Sequence, residues 1–255
     1  LAALPSSLRE FINIEIKPIT GSTNTDLKKS AENGAPEGTV LIALEQTGGK
    51  GRLGRNFYSP KKTGLYMSIL LRPVFPAEKS LYITTCAATA VSEAIDCSAG
   101  VRSSIKWVND VYLDGKKVSG ILTEASLDFE SGGLHYAVCG IGVNISTEMF
   151  PDKLGNIAGS IYNGKKDLRA KLAAEIITRF FDYYNTLEQL KFLDEYRRRS
   201  FLIGEHIEFI MNNKDFSGVA EDIDEKARLV VKLDNGEIIA LSSGEVQLKK
   251  GDIIR

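Results

Sequence analysis

Cysteine, histidine and tryptophan are scarce in this chain of 255 residues, with three, two and one of each. Cys86, Cys97 and Cys139 form no Cys-x-x-Cys pair, and His135 and His206 stand alone. That spacing speaks against a zinc site or a disulfide framework, and no metal-ligating residue is singled out. The serines have no neighbouring histidine and no Cys-His constellation is evident, which argues against covalent hydrolase chemistry. Long apolar runs are missing too, as is a basic N-terminal region followed by an apolar stretch and a cleavage site. A protein of the reducing cytoplasm with no membrane partner is therefore expected. Net charge is nearly absent, with 32 Lys and Arg against 33 Asp and Glu, so a polycationic DNA-binding surface is not expected either.

Against that balanced background one stretch concentrates positive charge. Gly48-Gly49-Lys50-Gly51-Arg52-Leu53-Gly54-Arg55 lies between two apolar runs, Thr39 to Leu44 and Gly64 to Leu71, that read as buried strands. Its four glycines allow sharp turns and close backbone approach, and its three cations match phosphate. A nucleotide is the ligand class this suggests. Gly49, Gly51 and Gly54 formally match G-x-G-x-x-G, but that fingerprint requires a following helix, and here Asn56-Phe57-Tyr58-Ser59-Pro60 leads into a strand. The kinase signature has no His-Arg-Asp or Asp-Phe-Gly to accompany it, and the P-loop fails because Lys50 precedes glycine. A nucleic-acid patch or a solvated basic turn stays open at this point.

Along the chain, Phe11 to Ile16 alternates like a strand, and Ser22 or Thr23 can cap a helix that stops at Gly34. The same hydroxyls could instead serve a small polar ligand. Ala77 to Ile95 has the spacing of a core helix. Asp114-Gly115 is a hairpin turn signal pairing Val111-Tyr112-Leu113 with Val118 to Ala125, which brings Asn109, Asp110 and Lys117 close together on a sheet. His135 to Ile145 is a strand interrupted by Gly140 and Gly142, a mark of close backbone approach. Two helical stretches follow from Asp167 to Ser200, the second closed by Arg197-Arg198-Arg199 as a basic helix terminus. Beyond Gly204 come short alternating strands with turns at Asn212-Asn213 and Asp234-Asn235-Gly236. The expected organisation is a domain over 1–200 and a small SH3-like β-barrel over 201–255.

The chain resembles the catalytic core of biotin protein ligases over nearly its whole length. The segments that carry the resemblance are the basic loop with its aromatic pair and Ser59-Pro60, Lys106-Trp107-Val108-Asn109-Asp110, Lys117 before Gly120-Ile121-Leu122, and Gly140-Ile141-Gly142-Val143-Asn144, in that order. Two positions depart from the family pattern: Lys50 replaces an arginine of the loop, and Val108 replaces a proline. Lysine keeps the charge but loses the planar fork.

The resemblance implies an α+β fold, a mixed sheet flanked by helices of the class II synthetase kind, with the SH3-like domain after it. It implies that ATP activates biotin to biotinyl-5'-AMP, with Mg2+ accompanying the nucleotide, and that biotin then passes to a lysine of a biotin carboxyl carrier protein domain. Ser22, Thr23, Asn24, Gln46, Gly48, Lys50, Gly120 and Leu122 would contact biotin. Lys50, Arg52, Arg55, Phe57, Asn109, Lys117 and Asn144 would contact the nucleotide, with Phe57 against adenine. Lys117, Arg52 and Asp110 would be catalytic, Lys117 bridging the carboxylate and the α-phosphate and Asp110 orienting or deprotonating the incoming amine.

Some family members carry an N-terminal repressor domain, for which Ser22 lies too near the start of this chain, so a ligase without sequence-specific DNA binding is expected. A homodimer is a further expectation from the family. Two other readings compete: a lipoate or octanoate ligase or transferase of the same fold, and a nucleic-acid-binding regulatory module.

Overall fold

The computed structural model describes residues 2–128, 130, 132–162 and 168–249. Asp167, the expected start of the late helices, and residues 250–255 of the expected C-terminal unit lie outside the described residues.

A seven-stranded mixed sheet organises the first part of the chain. Its strands are β1 (Asn13–Lys17), β2 (Thr39–Ala43), β3 (Gly64–Leu71), β4 (Ser104–Lys106), β5 (Asp110–Leu113), β6 (Lys116–Asp128) and β7 (Gly133–Asn144), in the order β1-β2-β3-β7-β6-β5-β4. Only β1 and β2 run parallel; every other pair is antiparallel. The helices are α1 (Ser6–Arg9), α2 (Thr23–Glu32), α3 (Ser80–Ala99), α4 (Arg169–Tyr184) and α5 (Lys191–Arg199).

Strand β3 shows why the sheet has helices on both faces. A strand covered on both sides reads as a continuous apolar run, and all eight of its residues are buried. Leu65, Met67, Ile69 and Leu71 join the main core with α3 and α4, whereas Leu70 packs with Leu27 and Ala31 of α2. The face under α2 is the one that carries the site.

Local signals act as their chemistry dictates. Asp114 and Gly115 take φ of 50° and 72°, the left-handed pair of a tight hairpin between β5 and β6. Asn212 and Asn213 do the same, with φ of 53° and 59°. The basic triplet ends α5 in structural contacts: Arg199 holds Asp96 and Glu195, each at 2.6 Å, and Arg197 Nε donates to the Ile223 carbonyl at 2.6 Å. The first strand starts at Asn13 rather than Phe11, because Phe11 packs edge-on against Phe181 with ring centroids 5.2 Å apart.

The C-terminal domain is a five-stranded antiparallel sheet of β8 (His206–Met211), β9 (Lys214–Ile223), β10 (Leu229–Leu233), β11 (Ile238–Leu241) and β12 (Val246–Leu248), ordered β11-β10-β9-β8-β12. Its core is continuous with that of the first part. Polar contacts also cross between them: Trp107 Nε1 donates to the Ala227 carbonyl at 3.1 Å and Tyr82 Oη to that of Glu225 at 2.7 Å. Among the described residues no helix is long and apolar enough to cross a membrane.

Candidate active site

A groove runs over the sheet where side chains are missing. On adjacent strands Gly120 faces Gly142 and Leu122 faces Gly140. A Cβ on Gly142 would lie 2.5 Å from the Phe57 ring, and one on Gly140 would lie 2.1 Å from Asn24 Oδ1. The floor is therefore bare backbone by steric requirement.

One end of the groove is polar and uncharged. Ser22 occupies the N-cap position of α2, as its residue type predicts, yet its side chain makes no capping bond. Gln46 instead reaches the helix start, its Oε1 accepting from the Thr23 backbone N–H at 2.8 Å and from Thr23 Oγ1 at 3.1 Å. Ser59 accepts from Gln46 Nε2 at 2.9 Å, which fixes the orientation of the amide. Ser68, wholly buried on β3, lies 2.7 Å from Thr23 Oγ1 and 2.6 Å from Asn24 Oδ1. Asn24 Nδ2 donates to the Leu122 carbonyl and to Glu124, which also pairs with Lys28 at 2.9 Å. Burial raises the Glu124 carboxyl, but the bonds from Lys28 and Asn24 outweigh it and leave the group below its usual range.

The other end is cationic. The basic loop closes on itself through a bridge between Lys50 and Asn56, with Gly51 N–H donating to the Arg55 carbonyl at 2.7 Å and Phe57 N–H to that of Gly49 at 2.9 Å. Leu53 and Gly54 turn the tip with φ of 55° and 73°. A side chain on Gly49 would meet the Phe57 carbonyl at 2.4 Å, so glycine is required there. Arg52 donates to Asn109 Oδ1 at 3.0 Å, and Asn109 is anchored by donating to the Ile121 carbonyl at 2.8 Å. Arg55 grips Glu245 of the C-terminal domain with both terminal nitrogens, at 2.7 and 2.5 Å. Lys117 forms an ion pair with Asp110 at 2.6 Å. Asn144 Nδ2 donates to the Gly159 carbonyl at 3.1 Å, while its buried Oδ1 has no hydrogen-bond partner among the described residues.

These two ends belong to one cavity of about 250 Å3. Ser22, Thr23, Asn24, Gln46, Lys50, Arg52, Arg55, Phe57, Asn109, Asp110, Lys117, Gly120, Leu122 and Asn144 all line it. Gly48 does not; its N–H is bound to the Gly21 carbonyl at 2.8 Å. Phe57 lies over the floor, its ring against the Cβ positions of Gly120 and Gly142. Sequence reasoning did not single out Lys106, Trp107 or Glu245 as lining residues. The first two sit in the Lys-Trp-x-Asn-Asp segment, a signal that could have found them. Glu245 carries none, because only the folding of the C-terminal domain brings it to the loop.

Neutral donors and acceptors at one end suit a small ligand with a polar head. Five cationic side chains against two carboxylates at the other end suit a polyanion. The lining contains no cysteine and no histidine.

Comparison with known proteins covers most of the chain. The model of the biotin/lipoate A/B protein ligase family matches residues 16–144, and that of the biotin protein ligase C-terminal domain matches 202–249. The bifunctional ligase/repressor BirA of Bacillus spizizenii is 34% identical over 239 residues, covering 90% of this chain and 72% of that protein. The biotin–[acetyl-CoA-carboxylase] ligase of Mycobacterium tuberculosis is 30% identical over 243 residues, 91% of this chain and 88% of its own. Among solved structures, the biotin protein ligase of Aquifex aeolicus in complex with biotin and ATP superposes with a TM-score of 0.79 at 28% identity, over 93% of this chain and 98% of that one.

Proposed function

We propose, for a chain that belongs to the biotin/lipoate A/B protein ligase family, that it activates biotin with ATP and transfers it to a lysine of a carrier protein. Biotin protein ligases act on the carrier proteins of biotin-dependent carboxylases. The observation that carries the reading is the continuity of the polar and cationic ends across one glycine floor, with Lys117 above it.

In the first step a biotin carboxylate oxygen attacks the α-phosphorus of ATP. The acyl–phosphate bond forms, the bond to the β-phosphate breaks, and pyrophosphate leaves with the electron pair. Charge gathers on oxygens that are already anionic, so the residues needed are cations and fixed dipoles. Thr23, Asn24 and Gln46, with Ser22 beside them, hold the ureido ring. Lys117 draws the carboxylate and the α-phosphate together, and Arg52 and Arg55 take the other phosphate oxygens. In the second step the carrier lysine attacks the acyl carbonyl, an amide forms and AMP leaves. Asp110 orients the amine and accepts its proton.

Asn144 would be the residue to hold a Mg2+ ion accompanying the nucleotide, since its buried Oδ1 has no hydrogen-bond partner among the described residues, and the ion would supply charge neutralisation to the phosphates. The reading further divides the chain into a catalytic domain over 1–200 and an SH3-like domain over 201–255. It takes the protein as a cytoplasmic homodimer.

The test is exchange of labelled pyrophosphate into ATP, which reports the first step without a carrier. Exchange should depend on biotin and Mg2+. Exchange driven by lipoate but not by biotin would assign the other branch of the family, and no exchange with either acid would overturn the reading.

A further inference from the structure

Among the described residues, three of the groove's five cations have partners and a fourth is exposed to water. Arg52 is bonded to Asn109, Arg55 to Glu245 and Lys117 to Asp110, while Lys50 is exposed at the mouth. Lys106 is half-buried in the cavity wall and makes no side-chain hydrogen bond or ion pair among the described residues. An ammonium withdrawn from water without a counter-charge is destabilising unless an anion arrives to meet it. The two carboxylates that face it, Asp110 and Glu245, are both already paired with other cations, and Lys117 and Arg55 add repulsion. Burial accordingly pushes the Lys106 ammonium down from its usual value.

The register of the sheet says where that anion would lie. Lys106, Asp110, Gly120 and Gly142 are direct partners across β4, β5, β6 and β7, forming one row across the sheet. Residues directly opposite one another point to the same face. A Cβ on Gly120 would lie 3.3 Å from Lys117 Nζ, so the Lys117 ammonium sits above the Gly120 position of this row. Lys106 ends the row two strand spacings further out, roughly 10 Å away along the sheet. That separation is within the reach of a triphosphate, so one with its α-phosphate at Lys117 could place its β- and γ-phosphates at Lys106.

We propose that Lys106 is a catalytic residue of the first half-reaction, binding the β,γ-phosphates of ATP and stabilising pyrophosphate as it leaves. This rests on the ligase reading above. When the bond between the α-phosphorus and the bridging oxygen breaks, the electron pair passes to the departing pyrophosphate. Lys106 meets that new charge without first giving up a protein carboxylate, whereas Lys117 and Arg55 must exchange one partner for another. The second half-reaction involves no pyrophosphate, so Lys106 has no part in it.

The two half-reactions can be read separately on the full-length protein. Lys106→Met keeps the length of the side chain and removes its charge; Lys106→Arg keeps the charge. In biotin-dependent pyrophosphate exchange the methionine variant should fall by roughly a hundredfold, with weakened inhibition by added pyrophosphate. Its transfer of biotin from supplied biotinyl-5'-AMP to a carrier domain should stay within about threefold of wild type, the scale of an ordinary surface substitution. The arginine variant should recover about tenfold or more of the lost exchange. Methionine-variant exchange within about threefold of wild type, or an equal fall in both half-reactions, would overturn the proposal. If the methionine variant does not fold, Lys106→Gln takes its place: loss of exchange with transfer intact supports the assignment, and exchange within about threefold of wild type or an equal fall in both half-reactions counts against it. Failure of wild-type exchange would instead sink the ligase reading itself.

Discussion

Lys117 sits where two features of the groove meet: its ammonium lies 2.6 Å from Asp110 and above the Gly120 position of the floor. If it draws a carboxylate and a phosphate together, Lys117→Ala should lower biotin-dependent pyrophosphate exchange by roughly a hundredfold, the loss typical of one preorganised donor. Near wild-type exchange would return Lys117 to an ordinary ion pair on a strand. At this scale the site was largely legible, because glycines, cations and amides were clustered in short segments of sequence. Ser59 and Ser68 were not. Their role is to hold Gln46, Thr23 and Asn24 from behind, and nothing local marks a serine for that work. The hydroxyls at the start of α2 showed the converse. Ser22 stands at the N-cap as expected, but Thr23 is held by Gln46 and Ser68 rather than bonding within the helix.

Helix α2 is tied to the sheet through Lys28, Glu124 and Asn24, and that tie is pH-dependent in a defined direction. Glu124 is held below its ordinary value of 4.5, so its contribution to stability is complete above that value and is lost as pH falls through the lowered folded-state one. Bonds to a charged group contribute about 1.5–3 kcal/mol. Glu124→Gln should therefore be less stable than wild type near pH 7, and the gap should narrow as pH falls below 4.5. Urea denaturation of both proteins across that range measures it. A gap independent of pH would mean that the carboxylate charge is not what holds the helix. The long elements were readable because their signals are redundant. β3 combines an unbroken apolar run with flanking turns, and the Asp114-Gly115 turn leaves a hairpin little alternative. The three-residue strand β12 was missed. It is too short to display a period and exists because β8 offers it an open edge.

At the level of the whole molecule, Arg55 and Glu245 fasten the basic loop to the C-terminal domain across 190 positions of sequence. The pair is exposed, at 65% and 37% of the two side chains, and such pairs contribute only about 0–1 kcal/mol to stability. Glu245→Gln should thus leave the melting temperature nearly unchanged while freeing the loop tip, so trypsin should cut sooner after Arg52 and Arg55. Raising the salt concentration should make wild type behave like the variant. Equal cleavage of the two proteins at low salt would show that the loop keeps its place without this contact. The lining of the cavity runs from Ser22 to Val246, which also has a consequence in time. A chain emerging from the ribosome can shape the glycine floor long before it can supply Glu245. Competence would then come late in synthesis, and a nascent chain stalled short of that residue would have the groove without the clasp on its loop.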